Sequence, residues 1–254
     1  EGNAAGGGSD WYAAGSAAIV PISGALTKGV HAPEFGVRSY SAILSAFNAA
    51  YASDAKAVIL HVASSGGSVE GLFAAVDHVS AVRGGDKPVI ALVDEHALSA
   101  GYALASAADK IVLASETAQV GSVGVVAAHV DVSEAEAKAG LKVTLVKAGA
   151  RKVDGNPHEP LSDEARADLQ RDIDAMYGMF VERVAAHRGL SEKAVRAQEA
   201  RVYRGANAVQ AGLADAVMEP GQLLAAVEQL QDGDSSMSLR NLGGGTQPTA
   251  AAGA

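Results

Sequence analysis

The chain contains no cysteine, and aromatic residues make up only 4% of it. The absence of cysteine excludes disulfides, thiol catalysis and thiolate metal sites. The hydrophobic fraction is 48%, and alanine supplies much of it. A core of this composition must be built from Ala, Val and Leu side chains, with helices packed closely on a sheet.

Basic clusters and long apolar runs are also missing. The formal net charge is −9, and no Lys/Arg cluster is long enough to follow a phosphate backbone, so we expect no nucleic-acid partner. No apolar run approaches the roughly 18–20 residues that span a bilayer, so we expect no membrane span. The chain begins with Glu1 rather than Met. This start is consistent with a fragment or a processed product, and it leaves open a signal peptide or anchor removed upstream.

The two ends of the chain are poor in packing residues. Residues 1–15 are rich in Gly and Ala, and we predict a flexible N-terminal segment in which Trp11 and Tyr12 alone dock. Residues 232–254 are polar and Gly-rich, and we predict a disordered tail. Residues 16–231 between them are predicted to form one domain.

The middle of the chain alternates between two hydrophobic patterns. β-Branched or alternating apolar runs predict strands at residues 17–26, 56–63, 87–94, 110–114 and 142–148. Helical spacing predicts helices at residues 40–52, 68–83 and 160–189. Alternation of this kind predicts an α/β fold with a mostly parallel sheet, right-handed crossovers and a C-terminal helical segment.

The predicted helix at 160–189 has clear ends. Ser162 is an expected N-cap, and Gly189 is an expected stop signal. A helix of this length often serves as an oligomerisation arm.

A glycine pair lies between a predicted strand and a predicted helix, in "SSGGSVEG" at residues 64–71. Two glycines let the backbone turn tightly and present N–H groups, a geometry that suits an anion or a developing oxyanion. An ordinary turn explains the pair equally well.

A lone hydroxyl stands in "ALSAGYALASAADK" at residues 97–110, where Ser99 lies at the end of a strand and the start of a helix. Active sites of α/β sheets lie at such strand ends. Taken by itself, the position favours a plain N-cap serine over a nucleophile.

A later loop, "KAGARKVDGNP" at residues 147–157, contains Lys152 among turn-forming residues. A loop lysine is usually a solvated charge. Acting as a base requires partial shielding from water.

Taken in order, these motifs resemble the S49 serine peptidases, the family of signal peptide peptidase A, and within it the capsid-assembly proteases of tailed phages. The family patterns S-P-G-G, S-[AG]-G-Y, G-S-[IVL]-G and K-x-x-G-x-P correspond here to "SSGG", "SAGY", "GSVG" and "KVDGNP". Residues 189–217 resemble the family's closing segment. The resemblance covers residues 17 to 218 and implies a ClpP/crotonase-like fold.

The resemblance also implies a set of catalytic roles. Ser99 becomes the nucleophile, Lys152 its general base and Ser122 a hydroxyl that orients the lysine. The N–H groups of Gly67 and Ala100 become the oxyanion donors. Residues expected to contact substrate in an apolar, narrow groove are Gly66, His96, Leu98 and Tyr102. No cofactor and no metal are implied.

The setting implied is that of a homo-oligomer cleaving scaffold or capsid proteins in the host cytoplasm, inside an immature phage shell (the prohead). The tail from residue 232 would then be the start of a scaffold extension. A bacterial signal-peptide peptidase, membrane-associated or periplasmic through a removed anchor, stays open. One position departs from the family pattern, because Ser65 stands where the family usually has Pro. Proline would stiffen the glycine loop through its fixed φ.

Three alternative functions remain, two with other catalytic residues and one without catalysis. A Clp-like triad would combine Ser99 with His129 and Asp131, although a polar residue at a sheet edge or subunit contact explains His129 more simply. A crotonase would need two backbone donors and an acid such as Glu116 or Glu70. A catalytically inactive capsid component would keep the fold alone. His61, within a predicted strand, is expected to be a partnered core histidine.

Overall fold

The computed structural model describes residues 10–230. The chain divides into two compact units, the larger formed by the residues up to Val123 and from Phe180 onward, the smaller by Gly124–Met179. The predicted tail at 232–254 and the first nine residues of the predicted flexible segment lie outside the described residues.

The strands are β1 (Tyr12–Ala14), β2 (Ala17–Thr27), β3 (Val37–Ser39), β4 (Ala57–Gly67), β5 (Val89–Leu98), β6 (Lys110–Leu113), β7 (Gln119–Gly121), β8 (Val202–Arg204) and β9 (Ala216–Val217). The helices are α1 (Tyr40–Tyr51), α2 (Leu72–Ser80), α3 (Ala100–Ser106), α4 (Ser133–Lys138), α5 (Asp163–Arg188), α6 (Glu192–Arg196), α7 (Gly205–Gln210) and α8 (Pro220–Glu228). A short 3₁₀ turn spans Pro33–Phe35.

One sheet, in the order β1-β2-β4-β5-β6-β9, organises the larger unit. β3 adds to β2, and β7 pairs with both β5 and β8. The β1–β2 and β7–β8 pairs are antiparallel, and the other pairs are parallel. This arrangement confirms the predicted α/β class, a mostly parallel sheet flanked by helices with a helical C-terminal segment.

The centre of the sheet is buried on both faces. On one face, inward residues of β2, β4, β5 and β6 pack against α8 through Leu223 and Val227. On the other, α3 is buried along its whole length, because its sequence "AGYALAS" offers mostly small side chains that allow close approach to β4 and β5. The core contains the expected Ala, Val and Leu side chains, together with Ile.

Two local predictions are wrong. Residues 13 and 14, expected to be flexible, belong to β1, whose Ala13 and Ala14 pair with Ala18 and Ala17 of β2. Residues 142–148, expected to be a strand, are exposed and have no regular secondary structure up to the bend that begins at residue 148. A strand needs a partner for its backbone groups, and the apolar alternation of that segment does not supply one.

The ends of α5 follow the prediction closely. The Ser162 hydroxyl accepts the N–H of Ala165 at 3.2 Å, and Gly189, just past the helix, has a φ of +64°. Within residues 10–230, no helix combines the length and the apolar character that crossing a bilayer requires.

Candidate active site

Ser99 lies in a strained turn between β5 and α3. Its φ and ψ are 51° and −121°, a combination that residues other than glycine rarely adopt. Its N–H donates to Gly121 O at 3.0 Å and its carbonyl accepts from Ala103 N at 2.9 Å. These two bonds hold the strained residue in place at the sharp turn from strand to helix.

Ser99 does not act as a helix cap. It occupies the N-cap position of α3, but its side chain makes no capping hydrogen bond. The plain N-cap interpretation is therefore wrong, because a capping serine has an extended backbone, whereas Ser99 has a φ of 51°. The residue itself is half-buried.

The glycine pair at the end of β4 packs directly against this turn. Gly66 has a φ of +116°, and a Cβ placed on it would lie 2.8 Å from Ser99 Cβ and 3.2 Å from Ala100 N. On its other side, Gly67 lies so close to the Leu26 backbone that a Cβ there would overlap the Leu26 carbonyl. Both positions thus require glycine, and the first two sequence motifs meet in space.

Ala100 is the first residue of α3, and the first N–H groups of a helix have no acceptor inside the helix. The Gly67 and Ala100 amides belong to the two segments that meet at Ser99. This is the type of position from which backbone donors stabilise an oxyanion.

Ser64, which the sequence analysis did not single out, shapes the glycine loop from within. Its side chain is fully buried, its hydroxyl donates to Gly24 O at 2.7 Å, and the same oxygen accepts the Gly66 N–H at 3.1 Å. A serine inside an otherwise apolar buried strand was the signal available in the sequence.

Ser122 occupies the corresponding position on the neighbouring strand. It follows β7 directly, has a φ of 55°, and donates its N–H to Arg201 O at 3.0 Å. Because Leu98 and Gly121 are register partners in the parallel β5–β7 ladder, Ser99 and Ser122 are the next residues at the same edge of the sheet.

Lys152 belongs to the smaller unit and is exposed there. It lies in a run of turns, with its N–H 3.3 Å from Gly149 O. Its neighbour Arg151 pairs with three carboxylates: Asp154 at 2.6 Å, Glu164 at 2.9 Å, and Asp168. These pairs fasten the lysine loop to the first turns of α5.

The residues predicted to contact substrate differ in their burial and in their contacts. Tyr102 is fully buried, and its hydroxyl donates to Leu213 O at 3.0 Å. The prediction that it contacts substrate is therefore wrong, because α3 turns this ring into the core. Gly66 is buried against Ser99, whereas Leu98 and His96 are half-buried, and His96 Nε2 lies 3.1 Å from Ser65 Oγ.

The residues of the alternative mechanisms have local partners. His129 Nε2 donates to the Asn156 carbonyl at 2.8 Å, and Asp131 accepts the Ser133 N–H at 2.9 Å. The two hydrogen bonds with Ser133 lower the pKa of the exposed Asp131 carboxyl. Glu116 accepts the Ala206 N–H at the start of α7 at 3.2 Å. These partners give the three side chains structural roles.

His61 is partnered as expected but is not a core residue. Its Nε2 lies 3.3 Å from Asp94 Oδ2, and about a third of its side chain is exposed. The residues from 10 to 230 contain no group of three His, Asp or Glu side chains that could hold a metal ion.

Comparison with known proteins places these features in a family. The model of "Peptidase family S49" matches residues 81–233. The chain is 37% identical over 234 residues to head-tail preconnector protein GP5 of Enterobacteria phage P21, covering 91% of this chain and 45% of that protein. It is 38% identical over 223 residues to capsid assembly protease C of Escherichia phage lambda, covering 86% and 50% respectively.

A solved structure of a 1510-N membrane-bound stomatin-specific protease aligns over 82% of this chain and 83% of its own, with 15% identity and a TM-score of 0.48. The chain spans about half the length of the two phage relatives. With a family model covering more than half of its residues and relatives above 30% identity along most of its length, the chain belongs to peptidase family S49.

Proposed function

We propose that the chain is a serine endopeptidase in which Ser99 attacks the substrate and Lys152 acts as general base. The strained Ser99 turn packed against Gly66 carries the proposal, because strained backbone that its surroundings hold in place is concentrated at active sites. Membership in a peptidase family supports the reaction type.

The steps use only groups of this chain and water. Neutral Lys152 Nζ takes the proton of Ser99 Oγ as the oxygen attacks a peptide carbonyl. The N–H groups of Gly67 and Ala100 hold the oxyanion. Lys152 then gives the proton to the leaving amine, the C–N bond breaks, and an acyl-enzyme remains. Water, deprotonated by Lys152, then attacks the acyl carbon. The bond from that carbon to Ser99 Oγ breaks, the protonated lysine returns its proton to Oγ, and the acid leaves.

Ser122 is proposed to orient the lysine amine. The register of β5 and β7 puts it at the same sheet edge as Ser99. A hydroxyl at that point can accept from the amine or donate to it. The role corresponds to the third group of other catalytic triads.

Lys152 is exposed in the single chain, so the shielding that a base requires must come from substrate or from another copy. The smaller unit also exposes large apolar side chains: Val126, Val130, Leu141, Val143, Leu145 and Val146. We therefore include a homo-oligomer in the proposal, with these residues in its contacts. Light scattering of the purified chain tests the assembly, and monomers at all concentrations would exclude it.

The phage relatives point to the substrate class. One relative is named capsid assembly protease C. We propose that this chain likewise cleaves scaffold or capsid proteins within the prohead in the host cytoplasm. An extended substrate segment is expected to pair with a sheet edge through its main chain. Cleavage assays with purified immature shells and with a signal-peptide substrate, run in parallel, distinguish this role from that of a signal-peptide peptidase.

The catalytic assignment is tested with four alanine variants of the full chain. S99A and K152A should lose peptide cleavage, and S99A should also lose labelling by a fluorophosphonate. K142A, which removes another exposed lysine of the smaller unit, is the matched control and should cleave normally. Normal cleavage by K152A together with inactive H129A would overturn the lysine assignment in favour of a histidine base.

A further inference from the structure

Ser65 and His96 join the two segments that meet at Ser99. Ser65 lies on β4 immediately before the glycine pair, and His96 lies on β5 three residues before Ser99. Their Oγ and Nε2 atoms are 3.1 Å apart. We propose that these two side chains form a positioning pair that holds the Gly66–Gly67 loop in register with Ser99. The inference rests on the proposed function.

The pair spans an irregular part of the β4–β5 ladder. From the Val62–Val93 partners to the Ser64–Ala97 partners, β4 advances by two residues while β5 advances by four. The extra residues of β5 interrupt regular backbone pairing where His96 lies. A side-chain hydrogen bond at this point therefore supplies a connection that the backbone does not.

Other hydrogen bonds of the loop reach toward β2. The Ser64 hydroxyl binds Gly24 O at 2.7 Å, and Ser68 N–H binds Leu26 O at 2.8 Å. Among the described residues, the Ser65–His96 bond is the one side-chain hydrogen bond that ties residues 64–67 to β5. It fixes the glycine pair from the side on which Ser99 stands.

A restraint on the Gly66–Gly67 loop matters because glycine has the greatest backbone freedom of all residue types. Oxyanion donors contribute to catalysis only when they are already aimed at the position of the developing charge. In this chain the hydrogen bond between Ser65 and His96 provides the restraint.

The hydrogen bond can run in either direction. A ring without a proton on Nε2 accepts from the serine hydroxyl, and a ring with a proton on Nε2 donates to the same oxygen. Because the ring contacts Ser65, we assign His96 a positioning role that acts through that side chain.

The test measures kcat and KM of the full chain on a peptide that wild type cleaves, with S65A, H96F, the double variant and S65T. Loss of one positioning hydrogen bond should lower kcat about five- to tenfold and leave KM nearly unchanged. The double variant should be no slower than either single variant, and S65T, which keeps the hydroxyl, should recover wild-type kcat. H96Q repeats the measurement with a smaller change of shape.

The matched control is H61Q, because His61 and Asp94 also bridge β4 and β5, at 3.3 Å, but lie farther from Ser99 along both strands. It should leave kcat unchanged. Additive losses in S65A and H96F, an effect on KM alone, an S65T variant as slow as S65A, or equal losses in H61Q would each overturn the proposal.

S99A, measured in the same series, separates this inference from the catalytic proposal. If S99A cleaves like wild type, the proposed function fails. If S99A is inactive while S65A and H96F retain full kcat, only the positioning pair fails.

Discussion

Ser99 and Ser122 stand side by side at the ends of two parallel strands, linked through the Ser99 N–H bond to Gly121 O at 3.0 Å. Both have positive φ, 51° and 55°, and neither is glycine. Two adjacent strained serines are costly for stability, at about 1–3 kcal/mol each. We attribute the presence of two strained serines at this edge to the chemistry proposed for it.

Replacing Ser99 with glycine should stabilise the fold while destroying activity. Glycine adopts φ 51° and ψ −121° without steric cost, whereas alanine keeps the strain. We expect the free energy of unfolding of S99G to exceed that of S99A by about 1 kcal/mol, after allowing for the larger unfolded-state entropy of glycine. Urea unfolding of both variants provides the measurement. Equal stabilities would show that the turn is not strained.

Adding one methyl group at Gly66 should disrupt the site. The new Cβ would lie 2.8 Å from Ser99 Cβ at a φ of +116°, so the loop or the Ser99 turn must move. We expect G66A to lower kcat/KM by at least about 100-fold, the loss typical of a missing oxyanion donor.

Gly84 provides the matched control for this substitution. It also has a positive φ, +71°, but nothing lies within 4 Å of its missing Cβ. G84A should lose about 1 kcal/mol of stability and keep full activity. A G66A enzyme as active as G84A would contradict the proposed contact between the glycine loop and the nucleophile.

The sequence alone was enough to predict the central strands but not the short ones. β2, β4, β5 and β6 were found because their apolar residues are buried on both faces, which produces nearly continuous hydrophobic runs. β7 and β8 contain three residues each, too few for any periodicity. They form because neighbouring strands supply hydrogen-bonding partners, and the sequence pattern of a segment does not show which strand it will pair with.

The site divides in the same way. The order of motifs located the glycine pair and Ser99, which the structure brings into contact, because their residue types are required by turns and close approach. The burial of Tyr102 was missed because α3 is buried on every side, so its sequence has no exposed polar face against which a buried ring would stand out. The Ser65–His96 bond depends on an irregular β4–β5 register, which no spacing in the sequence reveals.

Arg151 should affect catalysis through the lysine loop. Its guanidinium holds Asp154, Glu164 and Asp168, and removing it frees the loop that carries Lys152. We expect R151Q to lower kcat about tenfold through a less well-placed base, with little change in melting temperature, because exposed ion pairs contribute about 0–1 kcal/mol.

Arg171 provides the control for Arg151, because it pairs with the same Asp168 but lies on α5. R171Q should retain wild-type kcat. An R151K variant keeps the charge without the fork geometry and should fall between wild type and R151Q. Equal losses in R151Q and R171Q would assign the effect to α5 and not to the loop.

His187 should make stability depend on pH. Burial, followed by the nearby Arg83 charge, lowers its pKa to about 4 from 6.5, and its Nδ1 lies 3.2 Å from Ser106 Oγ. Since that hydroxyl donates to Ala103 O at 2.7 Å, the neutral ring donates its Nδ1 proton to Ser106.

The native state therefore resists protonation while the unfolded chain takes up a proton near pH 6.5. The contribution of His187 is fully present above that pH, decreases as the pH falls toward 4, and changes no further below it. The slope from this one group should stay below about 1.4 kcal/mol per pH unit, the value for a full difference of one bound proton between the unfolded and native states. Urea unfolding followed by the fluorescence of the single Trp measures it, with H187N expected to lose this part of the slope. S106A should keep it, because burial and not the hydrogen bond is the main cause; an H187N profile parallel to wild type would contradict the assignment.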